Sequence, residues 1–280
     1  MDFLKMPPGD LPAFDDTYGF QQTRSPNPNW TYGQKIEATQ EGREWAQGET
    51  KGWKVVDTEK EDPIKLYILM ISGIVPRPIA FVSTISNTGI ENLAPFSWFN
   101  MVTHSPPVVS ISCSNGPVRV HDTTDNIKAN RGFTVNIISE PWVEAANVCS
   151  IDAPAEVSEW PLSGLTKAPS VHVKPARVKE SAFSMECELL QIIDIIHPVT
   201  QKATTSLILG TVKYIHVRKD VLTDKGAVDP AKLKAVGRMG DITYSRIGDG
   251  FRLPRPLWEK EVQGIEKALQ GLIVQPDHSE

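Results

Sequence analysis

The chain has 280 residues, 40% hydrophobic and 22% charged, enough apolar material for one large domain or two small ones and too much for a disordered chain. A net charge of −5 lacks the basic surplus of a nucleic-acid binder, and no apolar run approaches the roughly 20 residues of a bilayer span. The opening MDFLKMPPGDLPAFDD has no signal-peptide pattern, and three scattered cysteines (Cys113, Cys149, Cys187) without CxxC fit a reducing cytoplasm and exclude a disulfide framework or zinc ribbon.

Proline (22) and glycine (19) make up about 15% of the chain against a usual 12% or so, and much of the proline lies at the two ends and in loops. The folded unit is therefore expected to be shorter than the chain. Residues 1–55 read as an irregular N-terminal arm; Trp30 and Trp45 favour a segment that wraps onto other structure, with a floppy tail as the alternative. From Pro78 to Ile85 a β-rich run ends at the turn Ser86-Asn87-Thr88-Gly89, and Asn92–Asn100 resumes as an aromatic strand. Val108–Cys113 is a further strand, Asp122 can cap a short helix through Ala129, and Phe133–Ile138 is a strand followed by a small helix opened by Pro141. After a Pro/Gly loop over 153–175, two long strands span Met185–Ile196 and Ser206–Val217, the second placing Ile208, Gly210, Val212, Tyr214 and His216 on one face. Asp229-Pro230 starts a turn of helix, and Leu257, Val262, Ile265, Leu269 and Leu272 mark an amphipathic helix over 257–273. Many short strands without βαβ alternation predict a mainly β barrel with a few helices.

Fingerprints for dinucleotides, the P-loop, the serine-hydrolase elbow and HExxH are all absent, and the six histidines show no ligand spacing, so no metal site is expected. The informative block is Pro76–Thr84, a turn, then Asn92–Asn100. Two strands joined by a loop set Ser83, Thr84, Asn92 and Ser97 beside the Ala94-Pro95 backbone, a surface on which a flat heteroaromatic can be read by its edge. Solvent-facing hydroxyls on a plain hairpin explain the same spacing. Val120–Asn126 adds a helix N-terminus suited to an anion; an ordinary Asp cap is the alternative, and Asp122 and Asp125 oppose an anion unless His121 or Arg119 offsets them.

Taken in order, PRPIAFVST, NLAPFSWFN, HSPPVVSIS, HDTTDNI, FTVNI, SEWPLSGLT, ECELLQI and LILGTVKYIHV resemble the flavin reductase-like family, over roughly residues 60–256. The resemblance implies an FMN-binding split β-barrel, homodimeric, with FMN in a groove at the subunit interface. It places Ser83 and Thr84 by the flavin ring or ribityl chain, and Asn92, Ala94, Pro95 and Ser97 along the isoalloxazine. It puts Ser112, His121, Asp122 and Thr123 around the phosphate, with Arg77, Arg238 and Tyr244 as further cofactor contacts. Relatives often carry Lys or Arg where this chain has His121, and Gly-Asp-His where it has Lys202–Thr205. The implied activity is an FMN-dependent oxidoreductase in which NAD(P)H delivers hydride to flavin N5, acting on a small-molecule substrate; no acid or base is assigned. Alternatives are an FMN enzyme acting on its own organic substrate and a non-catalytic flavin-binding dimer. The division expected is an arm (1–55), a barrel domain (56–256) and a C-terminal helix and tail (257–280), the ends being flanking segments rather than a second domain.

Overall fold

The computed structural model describes residues 12–17, 19–116 and 120–272. The chain divides into two compact units: Ile64–Ile247 with the residues up to Gly19, and Phe20–Pro63 with the chain from Gly248 on.

The first unit is mainly β with several helices. Strands β1 (Ala80–Ile85), β2 (Glu91–Phe96), β3 (Phe99–His104), β4 (Pro107–Ser114), β5 (Gly132–Asn136), β6 (Phe183–Ile196) and β7 (Ala203–Val217) form one seven-stranded sheet, ordered β2-β1-β5-β6-β7-β4-β3. The aromatic stretch expected to be one strand is two, broken at Ser97-Trp98. Because the edge strands β2 and β3 are consecutive in the chain, the sheet must curl to bring its two edges together. No strand pairing closes that seam among the described residues, so the expected barrel is open there.

Strand β1 explains the layering. It lies between β2 and β5 and is buried on both faces. Ala80 and Val82 join an inner cluster with Phe96, Ile111, Phe133 and Ile208, whereas Phe81 joins an outer one with Leu93, Trp142, Cys149 and Trp160. Successive strand residues point to opposite faces, so a run of apolar residues here means two covered faces. The outer cluster is roofed by short helices, including α3 (Val143–Asn147) and α4 (Trp160–Ser163).

Two further helices frame the sheet. Helix α1 (Pro63–Gly73) was not legible in the sequence, because PIKLYILMISG is apolar around nearly its whole circumference; Ile71 is its one buried residue. Helix α2 (Asp122–Asn130) is where the sequence put it, but its N-cap is His121 rather than Asp122. On β7, Ile208 and Val212 do face the inner cluster. A register shift between Val212 and Tyr214 then breaks the alternation, and Tyr214 is exposed.

In the second unit the expected C-terminal helix spans Trp258–Leu272, and Gly264 lets it approach the Tyr32 ring. The arm holds a helix, Gln40–Gln47, capped by Thr39, and Gln22-Thr23 pairs in parallel with Gly250-Phe251. The two flanking segments thus pair with each other. Among the described residues no helix is long and apolar enough to cross a membrane.

Candidate active site

A groove of about 600 Å³ runs beside the β2 edge. Asn92, Ala94 and Pro95 form one wall, and Ser114–Gly116 continue from the end of β4. Val120, His121 and Asp122 bring in the start of α2, and Cys149–Ala153 with Glu159 form the far wall.

Three side chains on one face of α2 fix its N-terminus there. Asn92 Nδ2 donates to Thr123 Oγ1 at 3.0 Å, Asn126 Nδ2 to Thr84 Oγ1 at 2.9 Å, and Asn130 Nδ2 to the Ile85 carbonyl at 2.7 Å. Positions 123, 126 and 130 are spaced three and four apart, the spacing that shares a helix face. At the tip, the Thr123 N–H donates to His121 Nδ1 at 3.3 Å, while the Phe96 ring meets the imidazole edge-on at 5.0 Å. An imidazole nitrogen that accepts carries no proton, so this cap calls for the tautomer with hydrogen on Nε2.

The far wall is held by carboxylates. Glu159, 4% exposed, accepts the Leu93 N–H at 2.9 Å. Glu91 at the start of β2 pairs with Lys167, whose Nζ lies 5.5 Å from the Trp160 ring centroid. Cys149 lies in this wall but is inert: burial, and then the nearby Glu159 charge, push its thiol up to about 12.

The structure gathers only some of the residues expected to contact a cofactor. Asn92, Ala94, Pro95, His121 and Asp122 line the groove, and Thr123 anchors it from behind. Ser83 and Thr84 are buried under 2% exposure within β1, away from the lining. Ser97 lies at the break between β2 and β3, where its hydroxyl accepts from Arg77 Nε at 3.3 Å. The Arg77 guanidinium itself is buried and donates to the carbonyls of Ile71, Ile74 and Met239, which makes it a cap for α1. Burial draws its pKa below the usual arginine value. Ser112 lies on β4 one alternation before Ser114, the residue that does line the groove. Arg238 stacks over the Tyr244 ring at 4.5 Å, and the Tyr244 hydroxyl donates to Asn147 Oδ1 at 2.9 Å, two residues before the Cys149 wall. Arg119 lies outside the described residues.

Sequence reasoning missed Ser114, Asn115, the 149–153 turn and Glu159. Ser114 could have been found by extending the Ser112 face two residues. The others come from separate short segments without periodicity: Asn115 just past β4, the turn after α3, and Glu159 just before α4.

The flavin reductase like domain family matches residues 72–232, more than half of the chain. The chain belongs to this family. A protein of Halalkalibacterium halodurans is 38% identical over 191 residues, 68% of this chain and 90% of that protein. Among solved structures, the nitrilotriacetate monooxygenase component B of Bacillus cereus superposes with a TM-score of 0.69 at 30% identity, covering 72% of this chain and 99% of that one. The 2-nitrobenzoate 2-nitroreductase of Pseudomonas fluorescens gives 0.65 at 27%, covering 73% and 98%. A Shewanella frigidimarina protein with a split barrel domain gives 0.64 at 19%, covering 73% and 100%, which extends the likeness of fold. Membership in the flavin reductase-like family supports a flavin-related redox function.

The groove suits such a group. Its volume falls in the range of sites for small organic cofactors. It joins a strand edge, able to meet a ring edge, to the N-terminus of a nine-residue helix, able to meet an anionic tail.

Proposed function

We propose that this chain is an FMN-binding oxidoreductase of the NAD(P)H-dependent flavin reductase type, acting as a homodimer on a small-molecule substrate. The observation that carries the reading is the junction of the β2 edge with the start of α2 in one groove, in a chain of this family. Asn92, Ala94 and Pro95 would hold the ring, and His121 and Asp122 the phosphate end, with Thr123 anchoring the helix start behind them. When bound, FMN would supply the redox chemistry, as the acceptor of hydride from NAD(P)H. The chain's own residues position and desolvate: Thr123 and Asn126 fix the helix tip, and the 149–153 turn walls off solvent. At the helix tip His121 Nδ1 accepts the Thr123 N–H, so this side chain serves there as a cap.

Exposed Met101 and Val102 on β3, and Leu190, Ile193, Ile195 and Ile196 on β6, support the homodimer, since a second copy would cover them. Sedimentation velocity checks it, a monomer being the contrary result.

The purified chain is expected to be yellow, or to become so with FMN, and to bleach anaerobically on addition of NADPH or NADH. A colourless chain that takes up no FMN defeats the proposal. Likeness to a nitroreductase favours a second reading, in which FMN serves an organic substrate of the chain's own. Flavin reoxidised anaerobically by a nitroaromatic acceptor, and slowly by free flavin, would favour it over the first.

A further inference from the structure

Tyr244 reaches the groove without lining it. Its strand, Tyr244–Arg246, pairs antiparallel with Val236–Arg238, and that hairpin is pinned to the stretches flanking β1 and β5. The Arg77 N–H donates to the Arg238 carbonyl at 2.9 Å and the Arg238 N–H to the Arg77 carbonyl at 2.8 Å, while the Val236 N–H donates to the Ile138 carbonyl at 3.1 Å. Gly237 permits this approach, since a Cβ there would meet Pro76 Cβ at 3.2 Å. The phenol ring is held as well, stacked under the Arg238 guanidinium, whose Nη1 donates to the Ile242 carbonyl at 3.0 Å. From this anchored hydroxyl two hydrogen bonds lead to the groove. Tyr244 Oη donates to Asn147 Oδ1 at 2.9 Å, and the Asn147 carbonyl accepts from Ser150 Oγ at 2.7 Å. Ser150 lines the groove, followed by Ile151 and Asp152. These three residues are exposed between the buried Cys149 and Ala153, so the turn has little packing of its own.

We propose that Tyr244 is a positioning residue which, through Asn147, holds the 150–152 turn against a bound flavin and so sets how long the flavin stays. The inference rests on the flavin reading above and deepens it. Ile151 is an apolar groove residue 55% exposed, and a ring lodged in the groove would cover it. That cover stabilises the complex only while the turn stays in place. Losing the hydrogen bond from Tyr244 therefore loosens one wall and speeds release, whereas entry into an already open groove changes little.

Two measurements on the full-length chain test this. Tyr244→Phe keeps the ring and its stacking and removes only the hydroxyl. Without flavin, amide hydrogen exchange over residues 150–152 is expected to quicken about threefold or more in this variant, with β1, β5 and β6 unchanged. Release of FMN, followed by recovery of its fluorescence on dilution, is expected to speed up about threefold, with the association rate constant altered by less than about twofold. Asn147→Ala removes the same hydrogen bond from its other end. The double variant should therefore release FMN no faster than Asn147→Ala alone. Release from Tyr244→Phe at the unaltered rate overturns the inference, even if its melting temperature falls, as that would mark a merely structural role. Two substitutions whose effects on release multiply overturn it too. Where Tyr244→Phe fails to fold, Asn147→Ala decides by the same exchange and release measurements. An unaltered chain that takes up no FMN instead overturns the function reading, and this inference with it.

Discussion

Ser83 and Thr84 are neighbours with similar hydroxyls and different environments. Thr84 Oγ1 accepts from Asn126, whereas Ser83 Oγ is buried with no hydrogen-bond partner among the described residues. The sequence marked both as polar groups beside a ring, since a hydroxyl in a strand gives no sign of whether its face is covered. Their difference is measurable by thermal unfolding. Ser83→Ala removes an unsatisfied buried group and is expected to leave stability unchanged or slightly raised. Thr84→Val strands the Asn126 amide and is expected to cost about 1–3 kcal/mol. Asn92, Ala94 and Pro95 were legible as groove residues because they share one short strand, and a strand edge is continuous. Glu159 was not: it reaches Leu93 across 66 residues of chain.

At the scale of elements, β7 carries a glycine where a strand usually carries a branched residue. A Cβ on Gly210 would overlap the Phe133 ring, which lies directly on the glycine backbone. The pattern Ile208-Gly210-Val212 already put this position on an inward face; the ring that requires glycine comes from β5, 77 positions earlier by number, and only the sheet pairing brings them together. Gly210→Ala is expected to destabilise by about 1–3 kcal/mol through overpacking, read as a lower denaturant midpoint with an unchanged slope. Helix α2 was legible from its polar, capping start and from the glycine at 132, although the left-handed residue that ends it is Arg131. Helix α1 has Asp62-Pro63 at its start and Gly73 at its end, but no apolar stripe to mark it, and its last turn is held by Arg77, a residue outside it that donates to the Ile71 and Ile74 carbonyls.

At the scale of the first unit, the loop leading away from α4 is nailed to the sheet by Glu186. This fully buried carboxylate on β6 accepts the N–H groups of Val171, His172 and Val173 at 2.7–3.0 Å and also meets His216 Nε2 at 2.6 Å. Burial alone would raise its pKa, but these hydrogen bonds outweigh burial and hold it at about 2, against an ordinary 4.5. The unfolded chain therefore takes up this proton first as pH falls. The stability Glu186 confers is whole above about pH 4.5 and disappears as pH drops toward 2. Melting temperature should fall through that window, and Glu186→Gln should be less stable at pH 7 yet show a shallower acid slope between those limits. An unchanged slope would count against this role.

By itself the sequence determined the mainly β class, the positions of most strands and of α2, the family resemblance, and the strand and helix start that form two walls of the groove. These depend on local periodicity, turn chemistry and capping, which a few neighbouring residues decide. Tertiary structure decided which hydroxyls are buried, that Arg77 caps a helix, that the barrel seam stays open, and that Glu159 closes the groove from a distant loop. Each of these depends on which groups the chain brings together across tens of residues, and burial and hydrogen-bond pairing exist only once it has done so.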